Sequence, residues 1–187
     1  MPIGPGGLDS NGIWQFGEDD SEALASDLLN LGMASVSTAI GGLGGPGILQ
    51  VVSTIKTDTF TATPAAFTYV DITGFELTIT PSSTSSKIMV IASMMVGSGA
   101  RARGRLVRDS TPIGVHANGN TFGFESSAAS EAWHPSISFL DSPVTTSSVT
   151  YKVQMTTGTA GQAVYVNQAA GGNYRGTSQL TLMEVAG

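Results

Sequence analysis

SISFLDSPVTTSSVTYKVQM, residues 136–155, decides the fold class. Ile137 and Phe139 alternate with Ser136 and Ser138, and after a polar break Val149, Tyr151, Val153 and Met155 resume the same two-residue period. Successive side chains of a strand point to opposite faces, so this period describes two half-buried β-strands; a helix would repeat its apolar residues at three and four. Asp141, Ser142 and Pro143 end the first run, because Pro has no N–H to give a sheet and Asp and Ser side chains bond their own backbone in turns. The two runs predict an antiparallel hairpin.

Outward from this stretch the same grammar covers most of the chain after residue 47. Strands are expected at 48–56, 67–72, 75–80, 87–96, 102–108, 113–116, 122–125, 134–140, 149–156, 162–168 and 178–185, with PSSTSS, RDSTP, HANGN and AAGGN as turns between them. Many short strands and no later helix leave a β-sandwich or a barrel. KIMVIASMMV, residues 87–96, lacks polar alternation and belongs in the centre of a sheet or between a sheet and a subunit interface. Its methionines read as core filling.

The first 47 residues differ. Pro2, Pro5 and the glycines among residues 1–12 suit an extended arm. Ile13, Trp14 and Phe16 follow it, and such aromatic bulk seeks either the protein's own body or a pocket on a neighbour. Glu18, Asp19 and Asp20 then place negative charge where a helix N-terminus attracts it, with Asp20 or Ser21 as cap, so one helix is expected over roughly 20–40. Leu29, Met33, Val36 and Ile40 recur at four, three and four residues, the spacing of a coiled-coil seam. The remaining surface is Ser and Thr, so the helix is marginal alone. It packs either on its own sheet or with copies of itself. GGLGGPG at 41–47 ends it, dividing the chain into an arm, helix and linker over 1–47 and a β-domain over 48–187.

Charged residues are only 12% of the chain, against roughly 25% in typical soluble proteins, which points to strands packing on one another or on other subunits. The net charge of −6 argues against nucleic-acid binding, which needs a basic field. With no Cys there is no disulfide, thiolate metal site or cysteine nucleophile. No apolar run approaches the ~18 residues of a membrane span, so membrane insertion is not expected. Four of the eight basic residues cluster at Arg101, Arg103, Arg105 and Arg108. The first three share one strand face, where like charges repel unless carboxylates such as Glu76, Glu125, Glu131 or Asp141, a neighbouring subunit or an anionic ligand sits between them. Intersubunit or internal ion pairing, a solvated face and a ligand site all remain open. His116 and His134 lie 18 residues apart without zinc-site spacing, and Asp109 and Asp141 read as turn caps. No catalytic residues, metal or cofactor are expected, and the chain does not read as an enzyme.

LDSNGIWQFGEDD at 8–20, LQVVSTIKTDTF at 49–60, ITPSSTSSKIMV at 79–90, RLVRDSTPIGV at 105–115, SFLDSPVTTSSVTYKVQ at 138–154 and SQLTLMEV at 178–185 resemble segments of tailed-bacteriophage virion structural proteins. The resemblance implies an antiparallel jelly-roll-like β-sandwich head preceded by an extended N-terminal arm and one short α-helix, with a homotrimer as the assembled form. It also implies a place in the virion as a tail fibre or minor tail protein. The arm would bind another virion protein, and the tip would meet a host-surface glycan. A trimeric capsid decoration or head fibre, or a free carbohydrate-binding β-domain, are the alternatives.

Overall fold

The computed structural model describes residues 47–125, 131–172 and 174–187, together with the backbone of Gly7–Leu8 and Trp14–Gln15. The chain forms two units, Met1–Gly45 and Pro46–Gly187. In the first, β1 (Gly7–Leu8) pairs antiparallel with β2 (Trp14–Gln15), Leu8 opposite Trp14. The rest of the arm expected over residues 1–12 lies outside the described residues. Ile13, Phe16, the helix expected over 20–40 and its seam residues Leu29, Met33, Val36 and Ile40 lie outside the described residues.

The second unit is mainly β and antiparallel. Its strands are β3 (Ile48–Lys56), β4 (Phe60–Ala62), β5 (Val70–Ile79), β6 (Lys87–Ser93), β7 (Val96–Ser98), β8 (Ala102–Arg108), β9 (Thr111–Ile113), β10 (Phe122–Phe124), β11 (Ser136–Asp141), β12 (Val149–Thr157), β13 (Val164–Val166) and β14 (Ser178–Val185). One sheet runs in the order β11-β6-β14-β3 and another in the order β10-β8-β12-β5, with β9 added on β8. A small third sheet, β4-β13-β7, carries on beyond the ends of β3 and β6. Every sheet keeps open edges, so none closes into a barrel.

Alternation explains the packing. Ile88, Val90 and Ala92 of β6 and Leu180 and Leu182 of β14 face Phe75 and Ile79 of β5 and Tyr151, Val153 and Met155 of β12 across one core. Most of these side chains are fully buried. At roughly 25 cal/mol per Å2 of apolar surface, each large one contributes about 1.5–3 kcal/mol.

Several expectations change. The hairpin over 136–155 does not form: β11 pairs with β6 in one sheet, while β12 pairs with β5 and β8 in the other. The connection 142–148 crosses the core edge, and the apolar faces of the two strands look at one another instead of lying side by side. The strands expected at 67–72 and 75–80 are one, β5, because Gly74 at φ 73° lets the chain continue through an irregularity opposite Val153. The run 87–96 breaks after Ser93, and Met94 and Met95 turn into the core between β6 and β7. β6 is central, as its composition implies. β4 and most of β7 were not expected, and the other strands fall within a few residues of their expected places.

Candidate functional site

The two large sheets turn very different outer faces to their surroundings. On β11-β6-β14-β3, the outward positions of neighbouring strands fall in register as Leu140, Met89, Met183 and Val51, an apolar row crossing all four strands. The next rows are Ser138, Ile91, Thr181 and Ser53, then Ser136, Ser93, Gln179 and Ile55. Val51 is 54% exposed, Ile55 60% and Leu49 53%. Lys87, at one end, is the sole charge among the outward residues of these strands. One unbroken apolar row, on a face that carries a single charge, sets this surface apart from the outer face of the other large sheet.

The outer face of β10-β8-β12-β5 is polar and self-satisfied. Lys152 pairs with Asp71 at 2.8 Å, and Gln154 donates to the same carboxylate at 2.6 Å. The Lys152 hydrogen bond comes first among the effects that hold the Asp71 carboxyl below its ordinary range, and it outweighs the opposing effect of burial. Arg101, Arg103 and Arg105 share this side, because Ala102, Gly104 and Leu106 between them are buried. Arg101 meets one expected carboxylate, Glu125, at 2.9 Å, but both side chains are about two-thirds exposed, so the pair adds about 0–1 kcal/mol. Arg103 and Arg105 have no carboxylate partner among the described residues. Arg103 lies 5.0 Å from the ring centre of Phe67 and Arg105 4.0 Å from that of Tyr69, while Arg105 Nε donates to Gln154 Oε1 at 2.7 Å. Aromatic quadrupoles and an amide take the place of anions here. Phe67 holds φ at 62°, an uncommon conformation for a bulky residue, with its N–H donating to Thr157 O at 2.8 Å.

The firmest ion pair belongs to the fourth arginine, on the opposite side of β8. Arg108 Nη1 donates to Asp141 Oδ2 at 2.7 Å, and Tyr151 Oη donates to the same oxygen at 2.7 Å. Asp141, expected as a turn cap, is the buried last residue of β11 and ties it to β8 and β12 of the facing sheet. Burial, then the hydrogen bond to Asp141 and its charge, push the Tyr151 phenol well above its usual range, so it stays a donor.

Two more buried charges serve the frame. Glu184, fully buried on the core side of β14, accepts hydrogen bonds from Ser82 N, Ser82 Oγ and Gln50 Nε2 at 2.6–2.7 Å. Burial alone would raise its carboxyl, but the donated hydrogen bonds win and bring it down to about 2. Ser86 Oγ falls short of hydrogen-bond geometry, yet its dipole adds to the effect. Lys56 Nζ, equally buried, donates to Asp58 Oδ2 at 2.8 Å and Thr73 O at 2.7 Å, stitching β3 to β5.

Among the described residues no three His, Asp or Glu side chains converge as a metal site would require, and no helix is long and apolar enough to cross a membrane. Trp14 has its backbone in β2; the other arm and helix residues named from the sequence lie outside the described residues. The apolar row Leu140, Met89, Met183, Val51 was not singled out from the sequence. Its signal was there: ILQVV, KIMVI and LTLM carry apolar residues at both parities, which a strand with one wet face does not need. No family model and no curated protein sequence matches the chain.

Proposed function

We propose that the chain is a structural subunit of a tailed-bacteriophage virion, a homotrimeric tail fibre or minor tail protein. Its β-domain serves as a jelly-roll-like head, and residues 1–47 attach it to another virion protein. The observation that carries this reading is the apolar row Leu140, Met89, Met183 and Val51 across β11-β6-β14-β3, on a face whose sole charge is Lys87, opposite a face whose Lys152, Asp71 and Gln154 are satisfied within the chain. In an isolated subunit that face would stand in water as an aggregation hazard; in an assembly it is the contact. The jelly-roll form is supported by the two strand orders, β11-β6-β14-β3 against β10-β8-β12-β5, which are those of interlocked Greek keys. The four-three-four spacing of Leu29, Met33, Val36 and Ile40 supports a helical bundle as a trimer contact. With 12% charged residues, the chain is composed for burial against neighbours.

Light scattering on the full chain tests the assembly. The expected mass is three times 19.1 kDa. Val51→Glu combined with Met183→Glu puts like charges on directly opposed residues of neighbouring strands and should drive the protein to monomers while circular dichroism still reports strands. A wild-type mass of one subunit at micromolar concentration would refute the reading.

A further inference from the structure

Between β10 and β11 the chain passes through Trp133 and His134, where two cavities of about 320 and 270 Å3 share His134 as a common wall. One is lined by Tyr174 and Arg175, the other by Phe122, Phe124 and Trp133. We infer that this double cleft is a saccharide-binding site. It gives the expected glycan contact a location and so rests on the proposed function for its role, although not for its chemistry.

Trp133 is 43% exposed and Tyr174 59% exposed, although both carry apolar rings that a fold would ordinarily bury. Trp133 is not exposed through looseness. Its backbone N–H donates to Val96 O at 2.8 Å and its backbone carbonyl accepts from Val96 N at 2.9 Å, and Pro135 O accepts from Met94 N at 3.0 Å. The Phe124 ring backs the indole with centroids 5.9 Å apart and planes tilted by 31°. A rigid, backed and partly bare indole is a platform that loses little entropy when a ligand lies on it.

The polar groups around the platform define the ligand. His134 and the Tyr174 hydroxyl have no hydrogen-bond partner among the described residues. Arg175 commits one N–H to Gln168 Oε1, and Gln168 Nε2 is itself held by Thr61 Oγ1 at 2.7 Å, so the guanidinium is steadied, and among the described residues its other donors have no partner. A ligand that suits both parts has a flat face of C–H groups for the rings and hydroxyls around its rim for the imidazole, phenol and guanidinium. A pyranose ring has both. A nucleic acid fits poorly, because its phosphates would approach a protein of net charge −6. A wholly apolar ligand would leave the polar rim unpaired.

The chain has two tryptophans, Trp14 and Trp133, so Trp14→Phe leaves Trp133 as the only indole reporter. Full-length Trp14→Phe protein is titrated with tri-N-acetylchitotriose, a glucose hexamer and trigalacturonic acid, following indole emission. At least one probe should give a saturable shift with a Kd of about 1 mM or tighter. By calorimetry on the full chain, Trp133→Ala and Arg175→Ala should each weaken that binding by at least about tenfold. Circular dichroism and scattering mass should match wild type, which separates a failed site from a failed assembly. No saturable change with any probe at about 20 mM would overturn the proposal. So would failure of acrylamide to quench Trp133 in the free assembly, since another subunit would then cover the indole.

Discussion

Replacing Asp141 by Ala removes the acceptor shared by the partly buried Arg108 Nη1 and the buried Tyr151 Oη, both at 2.7 Å from Asp141 Oδ2, and leaves Arg108 Nη1 only a longer bond to Ser142 O at 3.4 Å. Taking one partner from a buried ion pair costs about 3–5 kcal/mol, because the remaining charge stays desolvated. The Asp141 side chain is 8% exposed, but that of Arg108 is 25% exposed, so its stranded guanidinium recovers part of its hydration and the loss falls near the lower end, about 3 kcal/mol. Urea unfolding of the full chain at fixed subunit concentration measures it, and the melting temperature should fall by about 10 °C. Tyr151→Phe, which leaves the ion pair intact, should cost less, about 1–2 kcal/mol. Asp141→Leu with Arg108→Met and Tyr151→Phe, which removes both charges and the hydroxyl that would otherwise lose its acceptor, should recover most of the loss. A loss below about 0.5 kcal/mol for Asp141→Ala would refute the claim that this group holds the two sheets together.

Two further outcomes follow from other charges. Glu184 sits at about 2 in the folded chain against roughly 4.3 unfolded, so its contribution is complete above about pH 5 and is lost as pH falls toward 2. Glu184→Gln should therefore be less stable than wild type at pH 7 and lose less between pH 5 and 2 in parallel urea series; equal slopes would remove Glu184 from the acid transition. Arg103→Ala and Arg105→Ala should each cost about 0.5–1 kcal/mol, as partly exposed cation–π contacts on Phe67 and Tyr69 do, and not the 3–5 kcal/mol of buried ion pairs. Salt should change both losses little; a loss that shrinks strongly in high salt would point instead to carboxylate partners.

Strand positions were legible because they depend on local alternation. SQLTLMEV shows its period in the sequence and forms β14 over those same eight residues, and ARGRLVR forms β8 with its buried and exposed positions as the arginine spacing implies. What alternation cannot supply is the partner of each strand, since a two-residue period looks the same whether the neighbour lies beside it or across the core. The arginine face shows the same limit: like charge at strand spacing announces a need for partners, but Phe67 and Tyr69 are distant in sequence and reach β8 through backbone geometry, including a left-handed Phe67. Trp133 and Arg175 were also out of reach, because the cleft joins loops whose approach is set by the pairing of Val96 with Trp133 and of Gln168 with Arg175.

The separation of β11 from β12 into different sheets accounts for much of what the chain can do. Had residues 136–155 closed as a hairpin, Asp141 would cap a solvent turn, and Leu140 would lie beside β12 on a two-stranded ribbon. With β11 paired to β6 instead, Asp141 ends inside the molecule where Arg108 and Tyr151 of the facing sheet can reach it. The same pairing carries Leu140 outward into register with Met89, which extends the apolar row of β14 and β3 to the sheet edge. It also fixes the segment just before β11, so Trp133 is held against Val96 with its indole partly in water. The inter-sheet tie, the apolar row and the aromatic cleft thus depend on one strand-pairing choice. A change that loosens β11, such as Ile137→Ala, should weaken all three together.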